Sequence, residues 1–376
     1  LSILLSSQAK AAETYIADVS AMDALEARRI ILTSAHSEAG ADAGKLPLEC
    51  EKTVDCCPSW SRYLDFDFLL MGRTNGLRNQ PLVLDVGNNN QVLMNTRDFD
   101  MGVAPGVRLL TGRRSDVGPG WELGYTGIFN AFADKSFSNG VFSAPGDLAQ
   151  QLDGWTTADN IRPTYQSTLN LAEANLVWST CCEGCDPDAT LKWKRCEHCV
   201  CSDLIVGFVW AGLYEQANYN VICCPGDPVS TYGVEASNNL YGFQVGVRRR
   251  AEWERLSLQA SLKGAFTLSD IHVNSTSVYS TLAQTGNPND PLVTVRDPIQ
   301  VTDGDFAGLI QFNVTAAYRL NSRWALRAGY NLIGLIDVAL AGDQWDFTDT
   351  VDSGRGLDGT GNPLFHGGNF GIEYQW

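Results

Sequence analysis

Phe306-Ala307-Gly308-Leu309-Ile310-Gln311-Phe312-Asn313-Val314-Thr315-Ala316-Ala317-Tyr318-Arg319-Leu320 decides the fold class. The even positions Gly308, Ile310, Phe312, Val314, Ala316, Tyr318 and Leu320 are apolar or small, while the odd positions include Gln311, Asn313, Thr315 and Arg319. Side chains of a strand point to opposite faces in turn, so this stretch is a strand with one apolar and one polar face. Asn321-Ser322 then makes a tight turn. Beyond it Trp324, Leu326, Ala328, Tyr330, Leu332, Ile336 and Val338 form a second apolar face against Arg323, Arg327, Asn331 and Asp337. Both strands exceed the globular norm of about five or six residues. Tilted strands of about 9 to 11 residues are what a bilayer crossing needs.

The same signature recurs along the chain. Leu256, Leu258, Ala260, Leu262, Phe266 and Leu268 alternate with Arg255, Ser257, Gln259, Ser261 and Lys263. Tyr241, Phe243, Val245 and Val247 alternate with Gly242, Gln244, Gly246 and Arg248. Trp121, Leu123, Tyr125 and Phe129 face away from Glu122 and Asn130, and Leu64, Phe66, Phe68 and Leu70 from Tyr63, Asp65 and Asp67. The last strand sets Phe370, Ile372, Tyr374 and Trp376 against Asn369, Gly371, Glu373 and Gln375. Weaker strands near 99–112, 163–179 and 202–219 bring the count to about ten (8–12), in the even-numbered series of bacterial barrels. Short connections near 113–118, 250–252 and 321–322 alternate with long ones near 72–98, 134–162, 220–237, 274–302 and 341–364. Outer-membrane barrels have short periplasmic turns and long external loops, so both termini are expected in the periplasm and the long loops outside the cell. Trp121, Trp324 and Trp376 stand near short turns or the chain end, where an interfacial aromatic girdle belongs. A soluble β-sandwich also alternates, but it needs neither long strands nor this alternation of turns.

The expected fold is therefore all-β: a closed antiparallel transmembrane barrel over 59–376, preceded by a periplasmic arm at 1–58. In the arm Ile16, Val19, Met22 and Leu25 recur at helical steps. Leu1 to Ala11 reads either as the end of a secretory signal or as part of that arm. With 19% charged and 44% hydrophobic residues the composition excludes a disordered chain but not a barrel, which hides its apolar half on alternate positions and so looks soluble. A net charge of −16 argues against nucleic acid as a partner. Outer-membrane lipid is the expected surrounding, with a second copy or another envelope protein as candidate partners.

Eleven cysteines point to an oxidising compartment. Cys181, Cys182, Cys185, Cys196, Cys199 and Cys201 crowd an insertion at 180–202 that falls on the periplasmic side, together with Cys50, Cys56 and Cys57 of the arm. Disulfides forming a periplasmic cap are one reading. A zinc site at Cys182, Cys185, Cys196 and Cys199, spaced CxxC…CxxC, is the other. Cys223 and Cys224 lie in a long external loop, where a vicinal bridge would be strained and a link to another chain is the alternative.

Ser61 to Asn130, with Pro81-Leu82-Val83-Leu84, Asp98-Phe99-Asp100, Pro105-Gly106-Val107-Arg108-Leu109 and Gly120-Trp121-Glu122-Leu123-Gly124-Tyr125, resembles the start of the beta-barrel porins of planctomycete-type bacteria, family seven of that series. Arg319-Leu320-Asn321-Ser322-Arg323-Trp324-Ala325-Leu326-Arg327-Ala328-Gly329-Tyr330 is similar to that family's closing strands. The resemblance covers about residues 60 to 376 as an architecture, and it implies an outer-membrane porin with no known substrate. The helical arm and the cysteine segment depart from the family pattern.

By phase, Asp65, Asp67, Arg108, Glu122, Arg248, Arg255, Lys263, Arg319, Arg327 and Glu373 face the lumen. In an open pore they would select ions. In a closed one they would pair across it, and about ten strands argue for a narrow bore, since eight-stranded barrels fill with side chains and aqueous channels are typical of 16 to 18. Two functions follow: a porin-like channel for small solutes or ions, or a structural barrel with a closed lumen that builds a surface array or anchors a partner. No cofactor is expected. Asp343, Asp346, Asp349, Asp352 and Asp358 form a loop rich in calcium-type oxygens but without EF-hand spacing, and read first as a solvated acidic loop. The four histidines are scattered and no GxSxG, Walker or HExxH motif occurs, so the chain reads as no enzyme.

Overall fold

The structure, a computed structural model, describes residues 62–114, 119–148, 154–183, 199–223, 229–253, 255–279 and 293–376. The arm expected at 1–58, with Cys50, Cys56 and Cys57, lies outside the described residues.

Thirteen strands are β1 (Arg62–Arg73), β2 (Pro81–Asp85), β3 (Gln91–Asn95), β4 (Val103–Arg113), β5 (Gly120–Asp134), β6 (Phe137–Ser143), β7 (Ala158–Glu183), β8 (Cys199–Ile222), β9 (Ser230–Glu252), β10 (Leu256–Tyr279), β11 (Val293–Arg319), β12 (Trp324–Ile336) and β13 (Leu364–Gln375). Ten of them close a ring in the order β1, β13, β12, β11, β10, β9, β8, β7, β5, β4 and back to β1, with every pair antiparallel. Closure leaves no unpaired edge, which is what lets strands sit in lipid. The other three, β3–β2–β6, join the ring through β6 and β7.

The strands tilt and stagger. From Arg73 the paired row runs through Phe365, Ile333, Gln311, Lys263, Gly246, Ile205 and Val177 to Gly120. It returns to β1 one position below Arg62, because Trp121 pairs with Arg113 and Arg113 with Arg62. The row therefore slides down the length of β1 in one circuit, the shear that barrel closure demands.

β7 to β11 are 23 to 27 residues long, far more than a crossing requires. Two expectations need correction here. The long connections read at 220–237 and 274–302 are mostly strand, since β8 runs to Ile222, β9 starts at Ser230, β10 ends at Tyr279 and β11 starts at Val293. The cause is a reversal of polarity along each strand. On β9 the exposed row is Tyr241, Phe243, Val245 and Val247 near the short turns, but Glu235 farther along. Its buried row is Gln244, Arg248 and Arg250 near the short turns, but Tyr232, Val234, Ala236 and Leu240 beyond. Outside, an exposed apolar row gives way to a polar one, while inside a polar lumen gives way to an apolar core. Phase is kept and sign inverts.

That apolar core fills the far half of the barrel. Trp155, Tyr165, Tyr219, Tyr232, Met71, Leu82, Met94, Trp345, Phe347 and Phe365 are among its buried members. It forms because Leu82 and Val83 of β2, Met94 of β3 and the segment Val338–Phe347 pack against the inner faces of the wall strands. Tyr219 packs edge-on to Phe347, with ring centroids 5.2 Å apart, and donates its hydroxyl to the Leu82 carbonyl at 2.8 Å.

Candidate functional site

The interior near the short turns is polar, because the apolar rows of its strands face outward. Arg327 of β12 forms ion pairs with Asp65 of β1, with Asp67 at 3.4 Å and with Glu373 of β13 at 3.1 Å. Arg108 of β4 takes Asp67 from the other side, with Nη2 2.5 Å from Oδ2, and donates through Nη1 to Asn331 at 2.6 Å. Arg248 of β9 reaches both oxygens of Glu122 of β5, at 2.8 and 2.7 Å, and lies 3.7 Å from Asp203 of β8. The Tyr63 hydroxyl donates to Glu122 at 2.6 Å. Lys263 of β10 pairs with Glu173 of β7, which also accepts from Gln244 at 2.9 Å. Glu252 closes the series with Arg319 and Arg250, each at 3.4 Å. Several of these pairs span strands that are not neighbours in the ring, so they bridge the lumen rather than decorate its wall.

Within this lattice lies a cavity of about 50 Å³ lined by Arg108, Glu122, Glu173, Arg248, Lys263 and Arg327, among others. A water needs about 10–15 Å³ by this measure, so the space suits a few waters or a small ion. Both signs of charge face it.

The lattice holds nine of the residues read as lumen-facing: Asp65, Asp67, Arg108, Glu122, Arg248, Lys263, Arg319, Arg327 and Glu373. The tenth, Arg255, stands just before β10 begins at Leu256. It is exposed in the turn between β9 and β10, where alternation carries no information about sides. Sequence reasoning missed Tyr63, Glu173, Asp203 and Gln244 as members of the lattice. Asp203 shares the odd phase of Cys201, Ile205 and Val209, all buried, and that phase was the available signal.

A second polar cluster sits inside the apolar half. Glu215 of β8 forms an ion pair with Arg73 of β1 and accepts from Tyr165 and Ser167 of β7. It also accepts from the backbone N–H of Ala341, at 3.1 Å. Asn238 of β9 exchanges two hydrogen bonds with the backbone of Ala339, at 2.8 and 2.7 Å. The segment Val338–Phe347 is thus stitched across the barrel as a strap.

The acidic loop proves to be built into the strap's base. Asp343 accepts from the Arg78 backbone N–H at 2.7 Å, and Arg78 forms an ion pair with Asp358. Asp346 caps the backbone of Thr348 and Gly354, at 3.0 and 2.7 Å. Burial and the nearby Asp358 push the Asp343 carboxyl up to about 6. Among the described residues no group of three or more His, Cys, Asp or Glu is arranged to hold a metal ion. Cys201 is buried and disulfide-bonded. Cys185, Cys196 and Cys224, and the side chains of Cys181, Cys182 and Cys199, lie outside the described residues.

Residues 173–376, from the middle of β7 to the end of β13, match the family model of beta barrel porin-7 (BBP7). The chain belongs to that family. As a beta barrel porin-7 protein it is a porin-like barrel of the outer membrane, and the lattice contributed by β8 to β13 falls inside the matched region. No curated protein matches it in sequence. Among solved structures it is similar to the outer membrane protease OmpT from Escherichia coli, at 9% identity and TM-score 0.43, over 85% of this chain and 97% of that one. A Pseudomonas aeruginosa FadL homologue matches at 8% identity and TM-score 0.23, over 84% and 90% of the two chains. The Pseudomonas putida toluene transporter TodX matches at 9% identity and TM-score 0.22, over 85% and 90%.

Proposed function

We propose that this beta barrel porin-7 protein is a narrow channel for small ions whose passage is held shut by its own strap. The observation that carries this reading is the cavity of about 50 Å³ between paired charges of both signs, in a barrel whose other half is filled by the apolar core that includes Val338, Leu340, Trp345 and Phe347. Charged walls at this width favour small hydrated ions over bulky solutes, because each pair that opens exposes a charge that a permeating ion replaces. In this reading the termini lie on the periplasmic side and the strap, with the ends of β7 to β11, on the cell surface. The reading assigns the chain no catalysis.

Single-channel recording in planar bilayers tests it. The full-length protein should show rare openings of low conductance, and a variant lacking Gly342–Gly356 should show frequent ones. Silence from both, with the barrel verified as folded, would instead favour the second reading, a structural barrel that displays its surface loops. The strap's hydrogen bonds to Asn238 and Glu215 are what favour that alternative.

A further inference from the structure

Arg248-Arg249-Arg250 places three guanidinium groups in a row on β9. Alternation sends the outer two inward, where Arg248 meets Glu122 and Asp203 while Arg250 meets Glu252 and Gln259. Arg249 points outward and is exposed, without a hydrogen-bond or ion-pair partner among the described residues. A lipid-facing arginine costs about 2–4 kcal/mol at the bilayer midplane and close to nothing at the interface, where phosphate groups meet it. Arg249 stands near the short-turn end of β9, which finishes at Glu252.

Its register partners add to the picture. Arg249 pairs with Ser202 of β8, and Ser202 with Thr180 of β7, so a guanidinium and two hydroxyls form one outward row. On the other side Arg249 pairs with Ala260, whose methyl leaves the guanidinium room. Two positions deeper, Trp178, Leu204, Val247, Leu262 and Phe312 are successive register partners and form an exposed apolar row. Both rows line a single outward groove of about 650 Å³. A polar row with one unmatched positive charge, laid directly against an apolar row, has the amphipathic order of a lipid: headgroup, then chain. Trp178 at the junction suits an interfacial aromatic.

We propose that Arg249, Ser202 and Thr180 bind the phosphate of a single membrane phospholipid, whose acyl chain lies in the groove over Leu204, Val247 and Leu262. Charge-assisted hydrogen bonds from the guanidinium supply most of the selectivity, and the hydroxyls donate to the remaining phosphate oxygens.

Native mass spectrometry of the purified full-length barrel, released from detergent during titration with phosphatidylglycerol, tests this. The wild-type protein should retain one phosphatidylglycerol more tightly than any later one. Arg249→Gln should weaken that first binding about tenfold, the loss of a charged hydrogen bond of about 1.5 kcal/mol. Equal first binding in wild-type and variant would overturn the proposal. Diacylglycerol with the same chains, tested on wild-type protein alone, should bind much more weakly, and equal retention would show that the phosphate plays no part. Displacement of the bound lipid by an equal concentration of inorganic phosphate would show a free-anion site rather than a lipid site, and would also overturn it.

Discussion

Nη2 of Arg73 lies 2.5 Å from Oε1 of Glu215, and neither side chain reaches solvent. The pair joins β1 to β8 through the middle of the apolar half and carries the strap on its other carboxylate oxygen through Ala341. A buried charge that loses its partner is costly, about 3–5 kcal/mol, because nothing replaces the lost hydration. Glu215→Gln should therefore lower the stability of the barrel in urea titrations of lipid-reconstituted protein by roughly that amount. The double variant Arg73→Met, Glu215→Met should recover most of the loss. A double variant as unstable as the single one would mean that the pair's packing, rather than its charge balance, sustains the core.

Asp343 gives the strap a pH dependence. Its folded-state pKa is raised to about 6 by burial, so the folded protein holds this proton more tightly than the unfolded chain does. The stabilisation is complete below the ordinary carboxylate value and is lost as pH rises through about 6. Hydrogen exchange in 338–347 should accelerate between pH 4 and pH 8 beyond the intrinsic rate, and Asp343→Asn should remove that extra dependence. An unchanged slope in the variant would place the titrating group elsewhere.

Arg327 neutralises three carboxylates, those of Asp65, Asp67 and Glu373. Arg327→Met leaves them with Arg108 as the remaining cation on Asp67. In a strap-deleted background the current should shift towards cations, read as a change in reversal potential across a KCl gradient. No shift would mean that permeating ions do not pass this part of the lattice.

Gly371 faces Asp67 across the β1–β13 pair. A Cβ there would overlap the Phe66 carbonyl oxygen and stand 2.5 Å from Asp67 Oδ1. Gly371→Ala should cost about 1–3 kcal/mol, the usual range for overpacking, and should disturb the Asp67–Arg108 pair. Thermal unfolding followed by the gel shift of folded against unfolded barrel would measure it, and an unaltered midpoint would show that β13 moves aside without penalty.

Much of the barrel was legible from residues alone. Towards the short turns β10 to β13 and β1 carry their apolar rows in one phase, and the inward phase of Asp65, Glu122, Arg248 and Arg327 follows from the same count. Legibility failed where polarity inverts. In β8, Leu204, Val206 and Phe208 face outward while Val209, Ala211 and Leu213 face inward, so a scan for one apolar face finds two short, conflicting ones. The same inversion hid the true length of β7 to β11 and made strand ends read as loops.

What the sequence by itself determined is the side on which each wall residue stands, because alternation is a property of the extended backbone and needs no partner. It also determined the even-numbered ring, through the count of strands and the brevity of alternate turns. Only the tertiary structure decided who meets whom inside. Shear sets which inward residues share a level, so it brings Lys263 to Glu173 and Arg248 to Glu122 across strands far apart in sequence. Tertiary packing also turned the loop after β12 inward, because an apolar upper lumen in Tyr219, Tyr232 and Val234 needs apolar surface to cover it and Trp345 and Phe347 supply that surface. Local periodicity fixes direction, whereas distance across a closed ring depends on every strand at once.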